Sequence, residues 1–444
     1  MRELLATQPI YESQKLQRFF LSLESRYRVE SAREKYHNLV NFSANASVPY
    51  HQWFAYREGF SAQLITQLIA MSGCAAGEMV LDPFCGSGTT NVVAALSGYP
   101  TLGMDVNPMS AFLTQAKVSH YREEDLQKAL DFARQSGLWE SGGQPEAYEE
   151  VRKYFQPWAF EQLLRIKGFL DTLPFCPARD LLFVAYLSIV VDCSDRKRDG
   201  NGLKKRPSKV TNVAEYFRQK VQLIVEDIRS QKGGGEAAGY GVHDTAFHLR
   251  QRFEQCRQGA DAGVIIFSPP YANSFDYFES YKLELVLGDF VQGLAGIGGL
   301  RQQAVRSFVG ARQQESCDPY VDALAREIEE AIPRKEQETG KKDSRTRKVP
   351  GMIRGYFSDM REVIHQCGLC LERGKKTYIV VDQSAYVGKI VPTDLLFGYL
   401  GEQEGFSVGR IIECRKARTS TQQLSRYPFL KTALRESIVE LIKT

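Results

Sequence analysis

The stretch VLDPFCGSGTTNVV at residues 80–93 decides the fold, because it joins an apolar strand to a helix through a glycine-rich turn. Apolar residues 79–81 predict a buried strand that ends at Asp82, and the pattern of residues 89–97 predicts a helix. A second strand is predicted at residues 101–104. A strand, a helix and a strand within about 30 residues form a βαβ unit, which requires a parallel sheet.

Further strand patterns occur along the rest of the chain, separated by two long segments of helical pattern. The segments 121–240 and 290–360 read as helical. The additional strands are predicted at residues 241–243, 263–267, 377–381, 407–414 and 437–442. The sequence therefore predicts an α/β fold with a mostly parallel sheet and two largely helical insertions.

Composition excludes several classes of protein. The 444 residues are 43% hydrophobic and 25% charged, as in a soluble chain with a real core, and not a disordered or collagenous one. The 57 basic and 53 acidic residues leave a net charge of +4, so any nucleic-acid surface must be local. No signal-peptide pattern and no apolar run of membrane-spanning length occurs, and we expect a cytoplasmic protein.

The cysteines predict no metal site. Of nine cysteines, only Cys367 and Cys370 form a Cys-x-x-Cys pair, and no second pair stands at the spacing that a zinc site needs. Two buried thiols on a helix are the favoured interpretation.

The glycine loop favours a ligand other than a dinucleotide or a nucleoside triphosphate. Gly86 and Gly88 let the backbone approach a ligand closely, but Asn91 stands where a dinucleotide fingerprint has its third glycine. The lysine of a phosphate-binding P-loop is absent. A ligand with a ribose and a charged amino-acid tail suits the loop, and Asp105, after the next strand, can accept hydrogen bonds from ribose hydroxyls.

A second loop follows the apolar strand at residues 263–267, where the chain reads Ser268-Pro269-Pro270-Tyr271. The two prolines fix the backbone, so the carbonyl groups before them are held as acceptors. A hydroxyl, a rigid carbonyl and an aromatic ring suit the exocyclic amino group of a nucleobase, because accepting its N–H bonds frees the nitrogen lone pair while the ring stacks on the base.

The two loops together resemble motifs I and IV of the S-adenosylmethionine-dependent amino-methyltransferases of DNA. The resemblance implies a Rossmann-like class I methyltransferase fold with a mostly parallel seven-stranded sheet and S-adenosyl-L-methionine as the cofactor. It places catalysis at Ser268, Pro269, Pro270 and Tyr271. Phe60 falls in a segment similar to the family's motif X, and Asp244 stands where the family contacts the adenine of the cofactor. The cofactor-binding residues that the resemblance implies are Phe60, Asp82, Phe84, Gly86, Ser87, Gly88, Thr89, Asp105 and Asp244.

Serine in the first position of motif IV is typical of family members that methylate cytosine N4, and the resemblance implies this reaction. The alternatives are an adenine-N6 DNA methyltransferase, an RNA amino-methyltransferase and, more remotely, a non-catalytic DNA-binding protein of the same fold. Methylation of pyrimidine carbon 5 requires a cysteine nucleophile, usually in Pro-Cys, and the chain has no such dipeptide.

The resemblance also sets the predicted organisation of the chain. Residues 1–59 are an N-terminal helical segment, and residues 60–120 are the first part of the methyltransferase domain, with the cofactor site. The remaining divisions are 121–240, a helical insertion and possible DNA-binding region; 241–289, with the catalytic loop; 290–360, a polar helical insertion; and 361–444, the C-terminal part of the domain.

The expected partner is double-stranded DNA with the target base flipped out of the helix, and a cognate restriction enzyme is a further candidate partner. Two basic clusters, at residues 196–209 and 334–348, are candidates for phosphate contacts, although charge runs are as often solvated faces. No membrane and no metal partner is expected. The sequence predicts neither the recognition site nor the oligomeric state.

Overall fold

The structure is a computed structural model that describes residues 1–135, 145–199, 202–231, 237–310, 318–417 and 419–444. Its strands are β1 (Val29–Ser31), β2 (Met79–Asp82), β3 (Thr101–Asp105), β4 (Arg196–Asp199), β5 (Gly202–Lys205), β6 (Gly239–His243), β7 (Ala262–Phe267), β8 (Leu371–Asp382), β9 (Ser384–Tyr386), β10 (Lys389–Val391), β11 (Phe406–Lys416) and β12 (Arg435–Lys443).

Helices cover both faces of the main sheet. The α-helices are α1 (Arg2–Thr7), α2 (Gln14–Arg26), α3 (Arg33–Tyr36), α4 (Ala62–Ser72), α5 (Thr89–Leu96), α6 (Pro108–Val118), α7 (Glu123–Arg134), α8 (Glu149–Arg152), α9 (Pro157–Thr172), α10 (Pro177–Ile189), α11 (Val213–Ser230), α12 (Leu249–Cys256), α13 (Tyr277–Ser280), α14 (Lys282–Leu287), α15 (Ile297–Gln303), α16 (Pro319–Thr339), α17 (Val349–Cys370), α18 (Thr393–Gln403), α19 (Thr421–Arg426) and α20 (Leu430–Ala433). Short 3-10 turns occur at Phe42–Ser47, His51–Trp53, Pro145–Tyr148, Ala246–His248, Leu294–Gly296 and Thr346–Lys348.

Eight strands form the main sheet, in the order β1-β11-β12-β8-β7-β2-β3-β6. β12 runs antiparallel to both of its neighbours, and the other neighbouring pairs are parallel. The central strands β2 and β7 are buried along their whole length, as expected for parallel strands covered on both faces. The predicted Rossmann-like α/β fold with a mostly parallel sheet is confirmed.

The eighth strand comes from the N-terminal segment, for which the sequence predicted only helices. β1 pairs in parallel with β11 through the register Val29 to Ile411, and Arg33 of α3 forms an ion pair with Glu413. Residues 1–59 therefore extend the sheet and do not stand apart from it. β1 has only three residues, Val-Glu-Ser, which is too short for an alternating pattern to appear in the sequence.

The first insertion contains a strand pair that the sequence did not reveal. Residues 121–240 hold the helices α7 to α11, as predicted, together with an antiparallel hairpin of β4 and β5. The hairpin strands read Arg-Lys-Arg-Asp and Gly-Leu-Lys-Lys, so they lack the alternating apolar residues by which a strand is predicted.

The second insertion is helical, as predicted, but its predicted end lies inside a helix. α17 is continuous from Val349 to Cys370, so the division at residues 360 and 361 falls in the middle of it. Cys367 and Cys370 are both buried on this helix, and no group of His, Cys, Asp and Glu side chains among the described residues is arranged to hold a metal ion. No described helix combines the length and apolar composition that crossing a bilayer requires.

A buried ion cluster fastens α2 to the end of the sheet. Arg435, at the start of β12, bonds both carboxylate oxygens of Glu24 at 2.6 and 2.8 Å and one oxygen of Asp394 at 2.6 Å. The three side chains are at most 5% exposed. Each charge therefore depends on the others for the hydrogen bonds that water would otherwise supply.

We expect Arg435→Met to lower the free energy of unfolding by about 3–5 kcal/mol, because it leaves two buried carboxylates without their cation. Urea denaturation followed by circular dichroism measures the change. Arg373→Gln, at an exposed position near the start of β8, is the control and should change stability by no more than about 0.5 kcal/mol. An Arg435→Met protein as stable as this control would contradict the role given to the cluster.

Candidate active site

A cavity of about 450 Å³ opens where the carboxyl ends of β2, β3, β7 and β8 meet. This volume lies in the range of small-molecule sites. Both predicted loops line it. The predicted residues in its wall are Phe60, Asp82, Phe84, Gly86, Ser87, Thr89, Asp105, Ser268, Pro269, Pro270 and Tyr271.

Two predicted residues are not in the wall. Gly88 is the N-cap of α5 and lies against Thr114, behind the loop. Asp244 follows β6, and its carboxylate is bonded to Arg252 at 2.6 Å and to His248 at 2.8 Å, which holds the pKa of Asp244 below its ordinary value despite partial burial. Its backbone N–H donates to the carbonyl oxygen of Asp105, so it lies beside the site without lining it.

Asp105 fixes the shape of the glycine loop. Its carboxylate accepts the N–H of Gly86 at 2.9 Å and the N–H of Asn107 at 2.8 Å. Burial raises the pKa of Asp105 to about 6, while these two hydrogen bonds favour the charged form. Each carboxylate oxygen can accept a second hydrogen bond, so Asp105 can still bind hydroxyl groups of a ligand.

The backbone of the loop requires glycine at two positions. Gly86 has a φ of +51° and Gly88 a φ of +82°, both in the left-handed region. A Cβ atom on Gly86 would lie 2.8 Å from Cε1 of Tyr56, and one on Gly88 would lie 2.8 Å from the hydroxyl oxygen of Thr114. The loop is therefore packed between the cavity and α6, with no room for side chains at these points.

A buried lysine supports the loop from behind. Lys117 of α6 is 3% exposed, and its ammonium donates to the carbonyl oxygen of Ser87 at 2.8 Å. Burial lowers the pKa of Lys117 to about 7, partly offset by the neighbouring Cys85 thiol. The buried His51 has its pKa lowered to about 3, first by burial and then by the charge of Lys117, so this imidazole is neutral.

The second loop is held by the neighbouring strands β8 and β12. The Ser268 hydroxyl lies 3.0 Å from the carbonyl oxygen of Val380, which can only accept, so Ser268 donates its proton there. The Tyr271 hydroxyl lies 3.2 Å from Ser268 Oγ and 3.2 Å from a carboxylate oxygen of Glu436. Ser268 thereby keeps lone pairs available to accept hydrogen bonds.

Acidic side chains from β8 and β12 lie next to this loop. Asp382 and Glu436 face each other in the antiparallel register, and both line the cavity. Glu436 forms an ion pair with Arg415. Burial raises the pKa of both carboxyl groups, and the charge of Glu436 raises that of Asp382 further. Sequence reasoning missed this pair, because its members are 54 residues apart and belong to no short motif.

Aromatic side chains also line the cavity, and sequence reasoning identified only those at residues 275–278, not Tyr56 or Phe308. The Tyr56 ring, which covers Gly86, stacks on Tyr281 with ring centroids 4.9 Å apart. The guanidinium of Arg198 lies 4.6 Å from the centre of the Tyr281 ring and also forms an ion pair with the buried Glu284. Tyr281 lies behind Tyr56, and the aromatic side chains that line this part of the cavity with Tyr56 are Phe275, Tyr277, Phe278 and Phe308.

Comparison with known proteins agrees with this geometry. The family model described as DNA methylase, of the N6 and N4 type, matches residues 10–115, which include the glycine loop. Over this segment the chain is similar to the amino-methyltransferases of the N4/N6 family. Its methyl donor is S-adenosyl-L-methionine, and the cavity fits that cofactor, because the Asp105 carboxylate faces it where two ribose hydroxyls can bind.

Two named relatives match this chain along nearly its whole length. The Type II methyltransferase M.AvaI of Nostoc sp. is 27% identical over 93% of this chain and 91% of its own. The Type II methyltransferase M.BsoBI of Geobacillus stearothermophilus is 25% identical over 94% of this chain and 91% of its own. Among solved structures, the rRNA methyltransferase AviRa of Streptomyces viridochromogenes covers 86% of this chain and 83% of its own, with 10% identity and a TM-score of 0.29, too low to inform the fold.

Lys117 predicts a pH dependence of stability. Its pKa is about 7 in the folded protein and about 10.5 in the unfolded chain, so the unfolded chain binds more protons between these values. The contribution of Lys117 to the free energy of unfolding therefore rises from pH 7 to pH 10. We expect Lys117→Met to remove this rise and to gain stability relative to the native protein as the pH falls towards 7.

Denaturant titrations at several pH values between about 7 and 10 measure this difference. Lys128→Met, on the exposed face of α7, is the matched control and should follow the native pH profile. Parallel profiles for the native and the Lys117→Met protein would show that Lys117 is not desolvated.

Proposed function

We propose that the protein transfers the methyl group of S-adenosyl-L-methionine to the N4 amino group of cytosine in double-stranded DNA. The observation that carries this proposal is the hydrogen bonding of the Ser268 hydroxyl, in the first residue of the Pro-Pro loop. Its hydroxyl proton is engaged by the Val380 carbonyl, and its oxygen lines the same cavity as the glycine loop. It can therefore act as an acceptor towards an amino group.

An acceptor at this point makes the amino nitrogen a better nucleophile. The lone pair of the N4 nitrogen is delocalised into the cytosine ring, and hydrogen bonds accepted from its N–H groups favour a pyramidal nitrogen with a localised lone pair. That lone pair forms the new N–C bond, while the methyl–sulfur bond breaks and its electrons stay on sulfur. The methylated nitrogen then loses one proton to water. Positioning and polarisation of this kind need no covalent enzyme intermediate.

The wall around Ser268 suits a planar base that has left the duplex. Tyr271 and Tyr277 line the same cavity as Ser268, and the Tyr277 hydroxyl oxygen lies 3.4 Å from the backbone nitrogen of Tyr271, whose N–H donates to it. Phe275 and Phe308 add aromatic surface. Base flipping supplies the access that a stacked cytosine lacks, and aromatic rings replace the stacking that is lost.

The cofactor residues are part of the proposal. Asp105 binds the ribose hydroxyls, the backbone from Asp82 to Thr89 surrounds the amino-acid portion, and Phe60 packs beside the methionine. Gly88 acts by its conformation, since it lies behind the loop. A contact of Asp244 with the adenine remains a prediction, and it would need a bond in addition to those with Arg252 and His248.

The choice of DNA as the substrate rests on the relatives. The matching family is described as a DNA methylase, and the relatives of matching length are named Type II methyltransferases. A cognate restriction enzyme and a cytoplasmic location remain predictions. Adenine N6 and RNA are alternatives that the first experiment separates.

That experiment is the transfer of labelled methyl groups to plasmid DNA and, in a parallel reaction, to RNA, followed by digestion to nucleosides and mass analysis. We expect the label in N4-methylcytosine. Label in N6-methyladenine would reject the choice of base while keeping the fold and the cofactor. Label in RNA only, with none in duplex DNA, would reject DNA as the substrate.

A single substitution tests the role of Ser268. We expect Ser268→Ala to lower the methylation rate by about 100-fold, the scale of one positioned catalytic group, and to leave the affinity for S-adenosyl-L-methionine nearly unchanged. Single-turnover assays and calorimetric titration with the cofactor give the two quantities. Ser22→Ala, at an exposed site on α2, serves as the matched control. Full activity in Ser268→Ala would remove the hydroxyl from the mechanism.

A further inference from the structure

A second groove, of about 580 Å³, adjoins the active-site cavity. Arg57 and Arg198 line both, so the groove begins at the rim of the cavity. It runs along the β4–β5 hairpin and the chain that follows it. Its basic residues are Arg57, Arg196, Lys197, Arg198, Arg206 and Lys209, and its acidic residues are Asp192 and Glu215.

Most of these cations are free to bind a partner. Arg57, Lys197, Arg206 and Lys209 are exposed, and none forms an ion pair with an acidic residue in the part of the chain that the structure describes. The acidic residues are engaged elsewhere: the Tyr216 hydroxyl donates to Asp192 at 2.8 Å, and Arg218 lies 3.7 Å from Glu215. The groove thus carries a local excess of positive charge that the net charge of the chain conceals.

The other basic cluster differs in this respect. In residues 334–348, Lys335 forms an ion pair with Asp343, and Arg347 forms one with Glu336. The side chain of Arg345 donates to the carbonyl oxygen of Ser274. Much of this cluster is therefore engaged within the protein, whereas the hairpin groove leaves its exposed charges to solvent.

Arg198 fixes the groove relative to the active site. Its side chain is buried in an ion pair with Glu284, and its Nε donates to the carbonyl oxygen of Ser280 at 3.2 Å. Its own carbonyl oxygen accepts a hydrogen bond from Arg57 at 2.8 Å. β5 packs against α13, the helix that follows the catalytic loop. A ligand bound to the hairpin therefore has a fixed position relative to the catalytic loop.

We propose that this groove binds the sugar-phosphate backbone of double-stranded DNA beside the target base, with Arg57, Lys197, Arg206 and Lys209 contacting phosphates. The proposal rests on the proposed function, since it assigns the surface by which the same site holds its substrate. These cations are spread over the segment before α4, the strand β4 and the segment after β5, and such a spread fits a chain of anions better than a single anion. Such contacts set affinity and position and leave base choice to other groups.

The test is the binding of mixed-sequence duplex DNA of about 30 base pairs, because phosphate contacts need no knowledge of the recognition site. We expect Lys197→Gln and Lys209→Gln each to weaken binding several-fold and to lower the slope of log K against log salt by about 0.9, and the double variant by about twice that. Fluorescence anisotropy between about 50 and 200 mM KCl measures both quantities.

Arg373→Gln is the matched control, because Arg373 is an exposed cation near the amino end of β8, whereas the cavity lies at the carboxyl end of that strand. Its affinity and salt slope should equal those of the native protein. All variants should keep native affinity for S-adenosyl-L-methionine, which shows that they are folded. Methylation should then show a raised KM for DNA with kcat nearly unchanged, a split that general damage to the fold would not give.

The outcomes separate this proposal from the proposed function. Groove variants with the native salt slope would overturn the groove and leave the reaction standing. Weakened binding of single-stranded RNA alone, with duplex DNA unaffected, would overturn DNA as the partner of the groove. If the groove variants show the expected reduction in salt slope but the native protein methylates adenine, only the choice of cytosine would be overturned. Failure of the native protein to bind duplex DNA would overturn both.

Discussion

The site exists because the sheet reverses its direction of winding between β2 and β7. From β2 the chain passes through α5 to β3 on one side, and from β7 it proceeds to β8 on the other. The loops that follow β2 and β7 therefore diverge and leave a crevice at the carboxyl edge of the sheet. The glycine loop and the Pro-Pro loop are 178 residues apart between Thr90 and Ser268, yet this constraint places both on one cavity.

Buried charge gives that crevice a fixed shape. Asp105 holds Gly86 and Asn107 by their N–H groups, and Lys117 holds the carbonyl oxygen of Ser87 from the opposite side. Each group is buried, and their shifted pKa values reflect the cost of removing a charge from water. That cost is met during folding, so the loop does not have to be ordered when a ligand arrives. The acceptor positions that remain on the Asp105 carboxylate can then bind a ligand.

The sequence predicted those parts of the site that lie within short segments. The strand, turn and helix around Asp82 and the loop at Ser268 have local patterns, and the helix predicted at residues 89–97 is present as α5, Thr89–Leu96. The sequence did not reveal side chains that meet only through tertiary packing, such as Tyr56 on Tyr281. The β4–β5 hairpin was not predicted from the sequence. A strand is recognised by alternating apolar and polar residues, which arise when one face is buried, and this hairpin instead exposes charged residues to solvent.

That same hairpin shows why a cluster of charges in a sequence is an ambiguous sign. Arg198 and Lys197 are adjacent in the chain, but a strand sends successive side chains to opposite faces. Arg198 turns inward to Glu284 and the Tyr281 ring, where its charge is neutralised and its guanidinium positions the hairpin. Lys197 turns outward without an ion pair among the described residues. The inward arginine fixes where the outward lysine stands relative to the cavity, so this surface charge has a defined position relative to the Pro-Pro loop.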